Sequence, residues 1–72
     1  MRTYIREHRQ NCGLSIAELA RRAGIARQTV HTVERDPLYI PSGSVLIRLA
    51  TALAVEVVDL FAPPIVAAEP AP

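Results

Sequence analysis

Between Ser15 and Glu34 the chain reads SIAELARRAGIARQTVHTVE, and this segment restricts the fold more than any other. Ser15 and Glu18 stand in the S-x-x-E order in which each side chain accepts a hydrogen bond from the other residue's backbone N–H, so a helix starts there. Ala17, Leu19 and Ala20 are small or apolar, while Glu18, Arg21 and Arg22 suit a solvated face. Gly24 supplies the left-handed backbone that a tight corner needs, and Ile25 is placed to plug the angle between two helices. The next helix is expected over residues 27–35, because Pro37 cannot continue it. At helical spacing Ala26, Thr29, Val30 and Val33 gather on the side of Ile25. Arg27, Gln28, His31, Thr32 and Arg35 gather on the opposite side. Two helices this short and this close together can only meet at a corner.

The flanking sequence extends the helical pattern. A first helix is expected from about Thr3 to Cys12, with Ile5, His8, Arg9 and Cys12 at i, i+3, i+4 and i+7, ended by Gly13. Asp36-Pro-Leu-Tyr-Ile-Pro-Ser-Gly-Ser is a loop by its Pro, Gly and Ser content. A fourth helix is expected over 44–54, with Val45, Leu46, Leu49, Ala50 and Leu53 at core spacing and Ser42 or Ser44 as cap. A last helical turn at 57–61 ends in Leu60-Phe61. Four of the six prolines fall in the last ten residues, so residues 63–72 are expected to form an extended, disordered tail after a domain of residues 1–62.

Seventy-two residues make one small domain with a thin margin of stability. Its only aromatic side chains are Tyr4, Tyr39 and Phe61, so the core must be aliphatic. Cys12 is alone, which excludes an internal disulfide and fits a reducing cytoplasm; it is expected to be a small buried apolar residue. No signal peptide is legible at the start, and no apolar run approaches the roughly 18 residues that a membrane span needs. With one Cys and two distant His, zinc patterns are absent, and His8 reads as a packed, hydrogen-bonded histidine. No Gly-rich phosphate loop or converging pair of carboxylates is present, so no catalytic residue, metal or cofactor is expected.

The net charge of +1 hides a division. Residues 1–35 hold seven Arg against Glu7, Glu18 and Glu34, whereas residues 36–72 hold Arg48 against Asp36, Glu56, Asp59 and Glu69. A basic half on a nearly neutral chain points to a polyanion-facing side. Arg27 can span O6 and N7 of guanine with two parallel hydrogen bonds, and Gln28 can do the same for N6 and N7 of adenine. Thr32 can touch a thymine methyl or a phosphate, and His31 is either a pH-dependent contact or a solvated imidazole. Arg21, Arg22 and Arg35, with Arg2 and Arg6, are phosphate contacts or solvated charges. The backbone N–H groups of Ser15 and Ile16 open a helix and are further phosphate donors. Arg48, on the fourth helix and away from this face, has no assigned role.

These residues resemble the phage-repressor and Cro-like (XRE) helix-turn-helix family. The shared words are Gly13-Leu14-Ser15, Ala17-Glu18-Leu19-Ala20, Ala23-Gly24-Ile25, Thr29-Val30, Val33-Glu34-Arg35 and Leu49-Ala50-x-Ala52-Leu53-x-Val55-x-x-x-Asp59-Leu60-Phe61. The resemblance covers residues 4–61 and implies an all-α, compact five-helix lambda-repressor-like domain with a central helix-turn-helix. It implies base contacts from Arg27, Gln28 and Thr32, with His31 beside them, and an ion pair between Arg9 and Glu34 joining the first and third helices. It further implies a transcriptional regulator, a repressor by preference, that binds double-stranded DNA as a homodimer on a palindromic site. The chain departs from the family pattern at Ile16, where most members carry Gln, and at Ala26, which replaces a Ser or Thr cap. Its loop before the fourth helix is one residue longer than usual and carries the apolar Leu38-Tyr39-Ile40. That loop, the surface around Val57 and Val58, and Ile65-Val66 are candidate dimer contacts. The alternative is a protein–protein module on the same fold, such as an antitoxin or adaptor, using the 38–40 loop or the tail.

Overall fold

The computed structural model describes residues 1–65, so the tail enters it only as Pro63–Ile65, and residues 66–72, with Val66, lie outside the described residues. Four α-helices follow one another: α1 (Ile5–Asn11), α2 (Ile16–Ala23), α3 (Arg27–Arg35) and α4 (Gly43–Ala52), ending in a 3₁₀ turn at Val57–Phe61. No strand occurs among the described residues.

Three helices close in the same way. In each, the residue after the last turn takes a positive φ, and the following N–H reaches back to a carbonyl five residues earlier. Leu14 N–H bonds Arg9 O at 3.1 Å, Ile25 N–H bonds Ala20 O at 3.0 Å, and Val55 N–H bonds Ala50 O at 3.0 Å. This is the Schellman closure, whose next residue is an apolar side chain turned back onto the helix. Leu14 is buried, and Ile25 and Val55 pack against the core. Gly13 (φ 70°) and Gly24 (φ 68°) hold the left-handed position in the first two, but Ala54 (φ 58°) holds it in α4.

The boundaries differ from the sequence expectation where backbone groups are committed elsewhere. α1 starts at Ile5 rather than Thr3, because Thr3 N–H bonds Pro37 O at 2.9 Å and Tyr4 N–H bonds Leu60 O at 2.7 Å. α4 starts at Gly43, capped by Ser42 Oγ accepting from Val45 N–H at 3.3 Å, and stops at Ala52 because Ala54 has left helical geometry. The last helical segment is a 3₁₀ turn of five residues, with Glu56 N–H bonded to Asp59 Oδ2 at 2.9 Å and Leu60 as its buried anchor. Cys12 is exposed, contrary to expectation: it lies past the end of α1, on the rim, with Sγ 3.8 Å from Leu53 O.

The core is aliphatic: Ile5, Leu14, Leu19, Val30, Val33, Leu46, Leu49, Leu53 and Leu60, with Ala20, Ala23 and Ala50 where helices approach closely. His8 is buried, and its Nε2 lies 2.7 Å from Asp59 O and 2.9 Å from Ala62 O. Both neighbours are acceptors, so Nε2 carries the hydrogen and the imidazole fastens the 3₁₀ turn to α1. Among the described residues no helix is long and apolar enough to cross a membrane.

Left-handed backbone costs a side-chain-bearing residue about 1–2 kcal/mol, and a glycine gives part of that back by loosening the unfolded chain. Ala54→Gly should therefore stabilise the domain by about 0.5–1 kcal/mol, read as a higher urea midpoint at unchanged slope. Gly24→Ala should move the midpoint the other way.

Candidate nucleic-acid interface

The pose of α3 depends on one carboxylate. Glu34, in its last turn, has a side chain only 2% exposed, and it accepts from Arg9 Nε at 2.6 Å and from Arg9 Nη2 at 3.0 Å. Arg9 Nη1 also donates to Leu14 O at 2.8 Å, so one guanidinium joins α1, the link after it and α3. Its charge is held more firmly than usual, because the hydrogen bond to Glu34 outweighs the opposing effect of burial. Arg6 adds a second cation on the solvent side, with Nε 3.3 Å from Glu34 Oε1. Two guanidiniums on one carboxylate leave a net positive rim where α1 meets α3. Arg2 is less available, being paired with Glu7 at 2.7 Å and stacked over the Tyr4 ring.

α2 is fixed at both ends. Glu18 N–H donates to Ser15 Oγ at 3.0 Å and Ser15 N–H donates to Glu18 Oε1 at 3.1 Å. These bonds, the backbone one first, hold the Glu18 carboxyl below its usual range. They also occupy the Ser15 N–H, which leaves the Ile16 N–H, the next in the chain, to point out of the helix start. The Ile16 side chain is half-buried against the core. At the other end Gly24 turns the chain, and Arg21 and Arg22 stand exposed in the last turn.

Beyond the corner, Val30, Val33 and Glu34 of α3 are buried, while Arg27, Gln28, His31 and Arg35 are exposed. Thr32 is half-buried, and its hydroxyl donates to Gln28 O at 3.0 Å. The hydroxyl proton is thus spent within the helix, while the hydroxyl oxygen can still accept and the methyl is left on the side chain. Ala26 has extended backbone (φ −68°, ψ 144°) suited to a cap but has no side-chain oxygen to make one. The opening N–H groups of α3 therefore have no side-chain acceptor.

One residue that sequence reasoning set apart lies closer than expected. Arg48 is exposed on α4, and its Nη1 comes so near the α2–α3 corner that a Cβ on Gly24 would sit 3.1 Å from it. Its standing as the only basic residue after position 35 was the available signal. Helical spacing within α4 could not show which neighbour its long side chain reaches. Among the described residues, no group of three His, Cys, Asp or Glu could hold a metal ion.

Comparison with known proteins gives consistent matches. A family model described as Helix-turn-helix matches residues 5–60. An uncharacterised HTH-type transcriptional regulator from Methanothermobacter thermautotrophicus is 47% identical over 62 residues, covering 85% of this chain and 88% of the relative. The crystal structure of SinR, a master regulator of biofilm formation, in complex with DNA superposes with a TM-score of 0.73 at 34% identity, over 78% of this chain and 89% of that one. The SinR–SinI protein complex matches with a TM-score of 0.72 at 34% identity, over 78% of this chain and 54% of the other. The N-terminal DNA-binding domain of SinR from Bacillus subtilis matches with a TM-score of 0.74 at 31% identity, over 86% of this chain and 90% of that one.

Removing one partner of a buried ion pair strands the other charge, so Arg9→Ala should cost about 3 kcal/mol in urea unfolding, with Arg6 offsetting part of the loss. The double variant Arg9→Met/Glu34→Leu should recover most of that stability, because no charge is left buried. Glu18 titrates lower in the folded chain than in the unfolded one. Its contribution is present above the ordinary carboxylate range and is lost as pH falls through the lowered value. The stability difference between wild type and Glu18→Gln should therefore be largest near neutral pH and close on acidification.

Proposed function

The chain belongs to the helix-turn-helix family and is a DNA-binding transcriptional regulator, and from that premise we propose how it reads its site. α3 enters the major groove, with Arg27 and Gln28 at the base edges, Thr32 turning its methyl to a thymine, and His31 beside them. The supporting observation is the division of α3: Val30, Val33 and Glu34 are locked inward, while Arg27, Gln28, His31 and Arg35 are left in solvent. A helix pinned this firmly from behind can offer its polar face to a rigid duplex with little loss of side-chain order on the supporting side.

Phosphates on either side of the groove are held by Arg21, Arg22 and Arg35 and by the helix start at Ser15 and Ile16, where the Ile16 N–H is the donor left over from the capping box. One recognition helix reads too few base pairs for useful specificity, so the regulator works as a homodimer on a palindromic site with half-sites about 34 Å apart. Bound there it acts as a repressor. The five-helix reading takes the 3₁₀ turn as the fifth helix.

A second reading has its own support. Leu38, Tyr39 and Ile40 are 71%, 48% and 41% exposed, more apolar surface than a loop of this size needs. SinR has been seen with a protein partner, SinI. A protein–protein module, antitoxin or adaptor, would use this loop or the tail. Val58 and Ile65 are also exposed, whereas Val57 is half-buried against the core and is less suited to a contact.

Selection of bound duplexes from a random DNA pool tests the main reading. It predicts an enriched palindrome, a steep loss of affinity between about 50 and 200 mM salt, and for Arg27→Ala a loss of about 1–3 kcal/mol with relaxed preference at one base position. No enrichment at low salt would overturn it. A partner whose capture is lost on deleting residues 63–72, with DNA binding spared, would favour the adaptor.

A further inference from the structure

We propose that Arg48, carried on α4, is a DNA-phosphate contact that extends the reading surface from the helix pair onto a third helix. The inference rests on the DNA-reading function proposed above and names a residue outside the helix-turn-helix. The observation behind it is the juxtaposition of the Arg48 guanidinium with Gly24. Nη1 occupies the space that a Cβ at position 24 would crowd at 3.1 Å. Gly24 thus serves twice, by accepting a φ of 68° and by leaving room for a guanidinium from another helix.

Charge makes the placement unusual. Arg48 is the only basic residue in the acidic half of the chain, and α4 carries no acidic residue to pair with it. Among the described residues no carboxylate forms a salt bridge with Arg48, and its side chain makes no hydrogen bond. Of the acids within a dozen residues of it, Asp36 accepts from Leu38 N–H at 3.3 Å and Asp59 from Glu56 N–H at 2.9 Å, while Glu56 forms no salt bridge among the described residues. Arg48 instead brings its charge to Gly24, between the last turn of α2, which carries Arg21 and Arg22, and the start of α3, which carries Arg27. Gly24 lies three residues before Arg27, so their Cα atoms are at most about 11 Å apart. Four cations near this corner face one anion, Glu18, which interacts with Arg21 and Arg22, and the positive excess that remains is one a polyanion offsets. A guanidinium suits a phosphate there because its fork can donate two bonds at once.

A purely structural role is the competing account: a cation near the C-terminal end of α2 is favoured by the helix dipole. Salt dependence separates the two, because each phosphate neutralised adds about 0.9 to the slope of log K against log salt. Wild type, Arg48→Gln and Arg48→Lys should be titrated with the selected duplex across a salt series, with thermal midpoints measured in parallel. The proposal expects Arg48→Gln to reduce the slope by about one, to weaken binding evenly across sequences, and to keep the preferred sequence unchanged. Arg48→Lys should keep the slope. A wild-type slope in Arg48→Gln, even with a lowered midpoint, would leave only the structural role and overturn the proposal. If the wild type itself enriches no duplex, the DNA-reading function fails and this inference falls with it. A steep wild-type slope unmoved by Arg48→Gln removes this inference alone.

Discussion

The buried carboxylate of Glu34 is what the rest of this small domain is arranged around. Without a cation it would be an unsolvated charge on a helix that packs through Val30 and Val33. Arg9 answers it with two bonds and uses a third on Leu14 O, the carbonyl of the residue that closes α1. The angle of α3 is therefore set by a planar, directional contact as well as by aliphatic packing, which is tolerant of sliding. In a core whose buried apolar side chains are all aliphatic, with Phe61 only packed at its edge, that directionality fixes which face of α3 looks outward.

The outer face has a matching economy. Schellman closures after α1 and α2 place Leu14 and Ile25 inward and bring the next helix back within two residues. The capping box occupies the N–H groups of Ser15 and Glu18 and leaves that of Ile16, whereas α3 begins after Ala26 with no side-chain cap. Positive rims from Arg6 and from Arg21 and Arg22 flank the exposed residues of α3. The supporting side is satisfied within the protein, and the reading side keeps its donors.

Much of this was legible in the chain because it is local. The S-x-x-E order, Gly24 between two short periodic segments and the split of apolar and polar residues over 27–35 each act within one or two turns, and α3 runs over Arg27–Arg35 as its pattern says. What was not legible depends on distant backbone. The start of α1 moves to Ile5 because residues 3 and 4 bond Pro37 and Leu60. Cys12 fits a helical core pattern yet lies on the rim, since the helix has already ended at Asn11. A left-handed Ala54 carries no sequence signature, and neither does the reach of Arg48 to Gly24, which is a matter of how α4 packs on α2.

The central claim is that the outward half of α3, held by the Arg9–Glu34 pair, is the surface that meets DNA. An amide chemical-shift titration of the isotope-labelled chain with its selected duplex tests it most directly. The account predicts that the largest changes fall on the amides of Ile16–Glu18, Gly24 and Arg27–Thr32, with the 3₁₀ turn at Val57–Phe61 little affected. Changes centred on Leu38–Ile40 or on that turn, with Arg27–Thr32 unmoved, would contradict it.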